Sequence, residues 1–339
     1  MISVCIAFRN DFEQIDSVID HLLDTAQSDD LEIIVYNDGS VYGSNKPRPL
    51  KINHPNVRVI NNNKSFGVGY AFDRMVSETK GDIIVLMGSD VYPREGWYAD
   101  VRNAVERNPG TLGCATCIGL NKTRMSLDNP KNFKRYGADL LFTVSDDDLP
   151  KDSALRLRHG GYTDLFKAKW LLGKQSDELY EIPCVLGAFY FCTKEYYTKL
   201  GGWDTEPNNR YCGHQRWGHL EPYISLKSWL VGGGCILYPD IEAGHVFSRV
   251  TIYNQWSKGG RSAEWMWWNA LFMLETMIFD SKIRQKLYDF VHPELNLGVA
   301  KKMIKDHYAN VERVREQNRL KFKYDHTIFT EKFNCDFNI

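Results

Sequence analysis

The chain has almost no net charge: 42 Lys and Arg stand against 43 Asp and Glu, a formal −1 at pH 7. No molecule-wide field draws it to nucleic acid or to an anionic membrane, so any such attraction has to be local. It also lacks an apolar run of membrane length. The most apolar stretch, Ala263 to Phe279, is interrupted by Glu264, Asn269 and Glu275 and reads as a buried helix. The first eight residues, Met1-Ile-Ser-Val-Cys-Ile-Ala-Phe8, enter a strand pattern without a basic region and apolar leader, and the expected location is cytoplasmic (host cytoplasm if the chain is viral). There is no internal repeat or low-complexity tract. A matched pair of CxxC motifs is missing too. The eight cysteines (5, 114, 117, 184, 192, 212, 235, 335) lie mostly among apolar neighbours, and Cys114-Ala-Thr-Cys117 stands alone, which suits reduced, packed thiols better than a disulfide framework or a zinc site.

What is present is an ordinary globular composition of 43% apolar and 25% charged residues over 339 positions, enough for a core of about 250 residues with an extension. Short β-rich runs alternate with helical patterns through the first hundred residues, the signature of parallel strands joined by crossovers in a doubly wound α/β sheet. Strands are expected at Ile2–Phe8, Leu31–Tyr36, Val57–Ile60 and Asp82–Met87, with helices from Asp11 and across Ala71–Val76. From 110 to 180 the pattern weakens, and Ser145-Asp-Asp-Asp148 reads as a solvated loop. A buried strand run is expected over Ile182–Thr193, then a helix over Lys194–Leu200 closed by Gly201-Gly202, and another over Glu221–Val231. After Trp256 the chain reads as helical. This divides it into residues 1–250, with a nucleotide-binding half to 110 and an acceptor half after it, and a helical extension over 251–339.

In such sheets ligands bind beyond the carboxyl ends of the strands. Asp38 in Asn37-Asp-Gly-Ser40 and Asp90 in Gly88-Ser-Asp90 both fall at that edge. Asp38 can accept hydrogen bonds from a base or ribose, or simply close an Asx turn. Asp90 can hold Mn²⁺ or Mg²⁺ against a diphosphate, and His245, in Gly244-His-Val-Phe247, can complete the protein ligands of such a metal or serve as a core histidine. Glu221 lies at a helix start before Pro222, where a carboxylate stays ionised and serves either as a base or as a cap. Trp203 with Asp204, and Trp217, offer faces and a carboxylate that can meet a sugar or merely pack.

Taken in order, these segments resemble the family 2 glycosyltransferases, and in the second half the catalytic domains of polypeptide N-acetylgalactosaminyltransferases and β-1,4-galactosyltransferases. Ser3 to Phe8 is similar to the family's first strand, Asn37-Asp-Gly-Ser40 to its Asp-Asp-Gly-Ser motif, and Ile84 to Asp90 to the strand leading into Asp-x-Asp. Gly201-Gly-Trp-Asp204, Trp217-Gly218, Ile224 to Trp229, Gly233 and Gly244 to Phe247 are similar to the acceptor-side block and the metal-binding histidine segment. The resemblance implies a GT-A fold and a sugar transferred from a nucleotide-sugar, by family habit a UDP-sugar, with Mn²⁺ or Mg²⁺. It implies donor contacts from Ala7, Phe8, Arg9, Asp38, Ser89, Asp90 and Arg249, metal binding by Asp90 and His245, and acceptor contacts from Trp203, Asp204 and Trp217. Glu221 or His219 would be the catalytic base. Gly88 replaces the first aspartate of Asp-x-Asp, and Glu221 stands one position later than the family's acidic residue.

The acceptor is open among a glycan, a lipid-linked sugar, a protein and a hydroxylated DNA base. Eight Lys/Arg against four Asp/Glu between Lys301 and Asp325 suit either phosphate contacts or a solvated helix face. Two other classes compete. A nucleotidyltransferase would carry a glycine-rich basic loop after the first strand, where Arg9-Asn-Asp11 stands instead, and a catalytically silent nucleotide-binding protein is suggested by Gly88.

Overall fold

The computed structural model describes residues 1–42, 46–121, 123, 125–145, 163–247, 263–291 and 295–335. The N-terminal part runs β1 (Ile2–Phe8), α1 (Ile15–Ala26), β2 (Leu31–Asp38), the short β3 (Val41–Tyr42) and β4 (Lys46–Pro47), β5 (Val57–Asn62), α2 (Val68–Glu78), β6 (Ile83–Gly88), β7 (Val91–Pro93) and α3 (Trp97–Arg107). Next come β8 (Leu112–Leu120), β9 (Lys134–Arg135), β10 (Ala138–Val144), β11 (Asp164–Trp170), β12 (Tyr180–Glu181), β13 (Phe189–Thr193), α4 (Lys194–Leu200), α5 (Leu220–Val231) and β14 (Cys235–Val246). Five helices close the chain: α6 (Ala263–Met277), α7 (Ser281–Phe290), α8 (Leu295–Asp306), α9 (Tyr308–Lys321) and α10 (Thr327–Phe333).

Among the described residues the main sheet has ten strands in the order β12-β14-β8-β13-β6-β1-β2-β5, with β7 on β14 and β9 on β8. Strands β6, β1, β2 and β5 are mutually parallel, β13 is antiparallel to both its neighbours, and β8 with β14 is parallel again. The strands read as unbroken apolar runs because both faces are covered. Along β1, Ile2, Val4, Ile6 and Phe8 point into the core shared with α1 and α3, while Cys5 points into the core shared with α2 and the C-terminal helices. Helices α6 to α10 contribute Trp268, Phe272, Leu297, Val311 and Phe329 to that second core, so the boundary drawn at residue 250 divides the sequence but not the packing.

The weakly patterned region after residue 110 holds β8, buried along its whole length, and the β10–β11 hairpin. Asp146 to Asp148 of the acidic run lie outside the described residues. The apolar run expected as one strand over Ile182–Thr193 is a strand only from Phe189. Gly187 (φ 122°) and Ala188 (φ 60°) take left-handed backbone, which interrupts the ladder just before it.

Candidate active site

The carboxyl ends of β1, β2 and β6 meet the far end of β14 at one edge of the sheet. Strand β14 reaches it through a bulge. Tyr238 pairs with Ala115 and Glu242 with the next residue, Thr116, so Pro239 to Ile241 are extra, and Thr116 Oγ1 donates to the Pro239 carbonyl at 3.0 Å. Beyond the bulge His245 stands opposite Gly119 of β8 and Val91 of β7. Its Nε2 then lies 3.3 Å from Asp90 Oδ2, with 20% and 29% of the two side chains exposed, enough for both to meet a ligand. Phe247 lies against the imidazole at 4.2 Å between centroids, and His245 Nδ1 is buried without a hydrogen-bond partner. A Cβ at Gly88 would stand 2.7 Å from Asp90 Oδ1, so a side chain there would require the Asp90 carboxylate to shift.

Among the described residues no three His, Cys, Asp or Glu form a metal-sized group. Asp90 and His245 form a pair with the donor chemistry of a divalent-cation site, an oxygen and an imidazole nitrogen, whose remaining ligands would be supplied by phosphate oxygens and water. The two CxxC thiols are not part of it: burial pushes Cys114 and Cys117 up to about 12, and all eight cysteines are free.

Glu221 opens α5, and the adjoining loop is held in place by His219 in left-handed backbone (φ 60°). Burial raises the Glu221 carboxyl above the usual carboxylate range. Its own backbone N–H, the Tyr190 hydroxyl and the nearby His245 and His219 act in the opposite sense. Tyr190 donates to Glu221 Oε1 at 2.9 Å and accepts from the Ala188 N–H at 2.8 Å, while the Ala188 carbonyl accepts from Gly88 N at 3.2 Å. The strained turn before β13 thus ties the strand end that carries Asp90 to the carboxyl of Glu221. His219 Nε2 lies 2.8 Å from the Leu165 carbonyl and 3.3 Å from Asp164 Oδ1. Both neighbours are acceptors, so Nε2 carries a proton toward them, and Nδ1 is buried with no hydrogen-bond partner among the described residues.

The other sequence candidates divide. Asp38 is buried, and its carboxylate accepts from Ser65 Oγ (2.7 Å), Phe66 N (2.8 Å) and Gly67 N (2.9 Å), tying β2 to the start of α2. Ala7 pairs with Gly88 and Tyr36 across the sheet, and Ser89 Oγ donates to Asp11 at 3.4 Å. Trp217 is 40% exposed. Three expectations are corrected. Phe8 is buried against the Phe12 edge (4.7 Å) and presents no face to a base. Trp203 is fully buried, donates Nε1–H to the Leu220 carbonyl and packs on Phe72 and Tyr197. Asp204 is consumed by Lys227 (2.8 Å) and by the Tyr223 hydroxyl (2.7 Å). The Gly201-Gly-Trp-Asp204 segment is therefore a structural clasp, not an acceptor surface. Arg249 lies outside the described residues. The residues sequence reasoning missed are Tyr190, Ala188 and Asp164; the only cue was the Gly187-Ala188 pair ahead of an apolar run.

The whole chain superposes on the crystal structure of GalNAc-T7 with UDP, GalNAc and Mn²⁺ with a TM-score of 0.62, covering 98% of this chain and 56% of that one at 16% identity. This is a GT-A glycosyltransferase fold. Residues 3–158 of the GT-A chain match the family model described as glycosyl transferase family 2. Curated relatives are polypeptide N-acetylgalactosaminyltransferases. That numbered 5 from Caenorhabditis elegans is 23% identical over 278 residues, covering 76% of this chain and 38% of the relative. That numbered 11 from Xenopus tropicalis is 24% identical over 268 residues, covering 77% and 40%. This chain spans about two fifths of the length of these two relatives. No described helix of the GT-A chain is long and apolar enough to cross a membrane. In the basic C-terminal segment Arg313 pairs with Glu206, Arg315 with Glu275 and Lys302 with Asp306, so part of its charge is already neutralised within the fold.

Proposed function

We propose that the chain is a metal-dependent glycosyltransferase that moves a sugar from a UDP-sugar to an acceptor hydroxyl. The observation that carries the reading is the approach of His245 to Asp90, residues 155 positions apart in sequence but 3.3 Å apart in space, beside the raised carboxyl of Glu221. Asp90 and His245 would hold Mn²⁺ or Mg²⁺, which when bound neutralises the charge developing on the departing diphosphate. Asp38 and Arg9 flank the nucleoside end, with Asp38 acting through the loop it caps. Glu221 takes the proton of the acceptor hydroxyl, with its carboxyl held toward the site by Tyr190, and His219 Nδ1 offers a second acceptor in the same recess. The acceptor enters over the exposed aromatic pair Phe133 and Phe247, whose rings lie 5.4 Å apart beside His245, and Trp217 is a further exposed aromatic in the loop before Glu221. UDP and Mn²⁺ in the solved GalNAc-T7 complex, and the polypeptide N-acetylgalactosaminyltransferase relatives, support a UDP-sugar and a divalent ion.

The test is to incubate the purified chain with a panel of nucleotide sugars, with and without Mn²⁺, and to measure free nucleoside diphosphate. Expected is slow hydrolysis of one donor that needs Mn²⁺ and falls at least about 100-fold in Asp90→Ala and in His245→Ala. Tight nucleotide binding with no turnover, even with acceptor mixtures added, would instead favour a silent binding protein of the same fold.

A further inference from the structure

Two arginines near the nucleotide edge have no ion-paired carboxylate among the described residues, and a third lies beside them. Arg216 sits in the loop before α5 in left-handed backbone (φ 55°). Its N–H donates to the Phe66 carbonyl at 2.9 Å, and its carbonyl accepts from Val68 N at 3.4 Å, so its backbone is stitched to the start of α2. Arg210 reaches the same place from the other side, its guanidinium carbon 5.3 Å above the Phe66 ring. Arg9 leaves β1 next to Asn10, which is bonded to Ser40 and Val41 of the loop after β2. The three charges sense one another. Burial lowers the pKa of Arg216, with Arg210 and Arg9 acting in the same direction, while Asp38 and Glu264 oppose them.

The carboxylate nearest this cluster is already committed, since both oxygens of Asp38 accept from Ser65, Phe66 and Gly67. Among the described residues neither Arg210 nor Arg216 has an ion pair or a hydrogen-bonded carboxylate. The half-buried guanidinium of Arg216 is repelled by its arginine neighbours, and an incoming oxyanion relieves that repulsion while engaging planar donor forks suited to phosphate. The place fits a particular anion. Strands β6, β1 and β2 are neighbours, so the ends that carry Asp90 and Asp38 lie two strand spacings apart, about 10 Å, and the arginines stand on the Asp38 side of that interval.

We propose that Arg210 and Arg216, with Arg9 beside them, form an anion site for the diphosphate of the nucleotide donor, a cationic grip that acts independently of metal and complements a metal site short of one aspartate at Gly88. The proposal rests on the donor reading given above. It makes Arg210 and Arg216 donor-binding residues and leaves part of the diphosphate affinity in place when divalent ions are removed.

The experiment is calorimetric binding of inorganic pyrophosphate, UDP and uridine to the full chain in EDTA, comparing wild type with Arg216→Gln and Arg210→Gln at two salt concentrations. Arg210 is solvent-exposed, so its variant keeps the test open if Arg216→Gln lowers the melting temperature. Expected are metal-free binding of pyrophosphate and UDP by wild type, a loss of roughly tenfold or more in each variant, a weaker salt dependence, and unchanged affinity for uridine. Equal pyrophosphate affinity in wild type and both variants, or none in wild type, overturns the proposal. Loss of pyrophosphate affinity with UDP affinity intact also overturns it, because the site would then serve an anion carried by another molecule. The two readings fail separately: arginine-dependent pyrophosphate binding with no turnover of any nucleotide sugar removes the transferase function and leaves the anion site, and the converse result does the reverse.

Discussion

Glu221 has to be ionised to accept a proton, yet it sits where water is scarce, and the Tyr190 hydroxyl is one of the groups that set the balance between these demands. Burial raises its carboxyl, and the Tyr190 hydroxyl counters that by donating to the charged form. Tyrosine 190 is thus a positioning residue, itself fixed by the Ala188 N–H. Removing its hydroxyl takes away one of the groups that oppose the desolvation. The acid limb of the kcat/KM profile is accordingly expected above the ordinary carboxylate range in wild type, where activity rises as pH climbs through the raised pKa. In Tyr190→Phe the limb should move to still higher pH, and in Glu221→Gln it should vanish with most of the activity. An unmoved limb in Tyr190→Phe would assign Tyr190 to packing alone. The positions of Asp38 and Asp90 at the carboxyl edge of the sheet were legible from their place after apolar strands. The bond that tunes Glu221 was not, because it joins side chains 31 positions apart across a turn whose left-handed backbone at Ala188 no residue type announces.

At the level of elements, α5 shows how a motif read as surface chemistry becomes architecture. The helix is buried on nearly every side, and Lys227 is fully enclosed, donating to Asp204 at 2.8 Å and to the Gly202 carbonyl at 2.9 Å. Beside it, Asp73 of α2 accepts from Tyr197 and from both N–H and Oγ1–H of Thr205, so the Gly201 to Thr205 segment is clamped from two helices. Sequence alone offers Trp203 and Asp204 as a sugar platform because aromatic and acidic residues suit that role; what decides against it is α5, whose lysine claims the carboxylate from within. Lys227→Met should therefore destabilise the protein by about 3 to 5 kcal/mol, the cost of stranding a buried charge, as measured by denaturant unfolding. A loss below about 1 kcal/mol would mean that Asp204 is reached by water and the clasp is looser than its geometry indicates.

At the scale of the molecule, the sheet makes the site. The main strand and helix order through β6 was readable because apolar runs and helical spacing repeat there in their usual periods, and Lys194–Leu200 was readable from its glycine stop, whereas α3 was not anticipated. The middle of the sheet was not, since β8 carries small residues and two glycines and its partner β14 is bent by three extra residues. That bend decides which residue of β14 faces Asp90: without Pro239 to Ile241 the register would bring a different side chain opposite Val91. The central claim is that residues 90 and 245, joined only by this register, together hold a divalent cation. Titration of Mn²⁺ in the presence of UDP, followed by the electron paramagnetic resonance signal of the free ion, tests it most directly. Expected is binding by wild type that weakens at least about tenfold in Asp90→Ala and to a similar extent in His245→Ala. Mn²⁺ affinity unchanged in either variant, with the fold intact, would contradict the shared site.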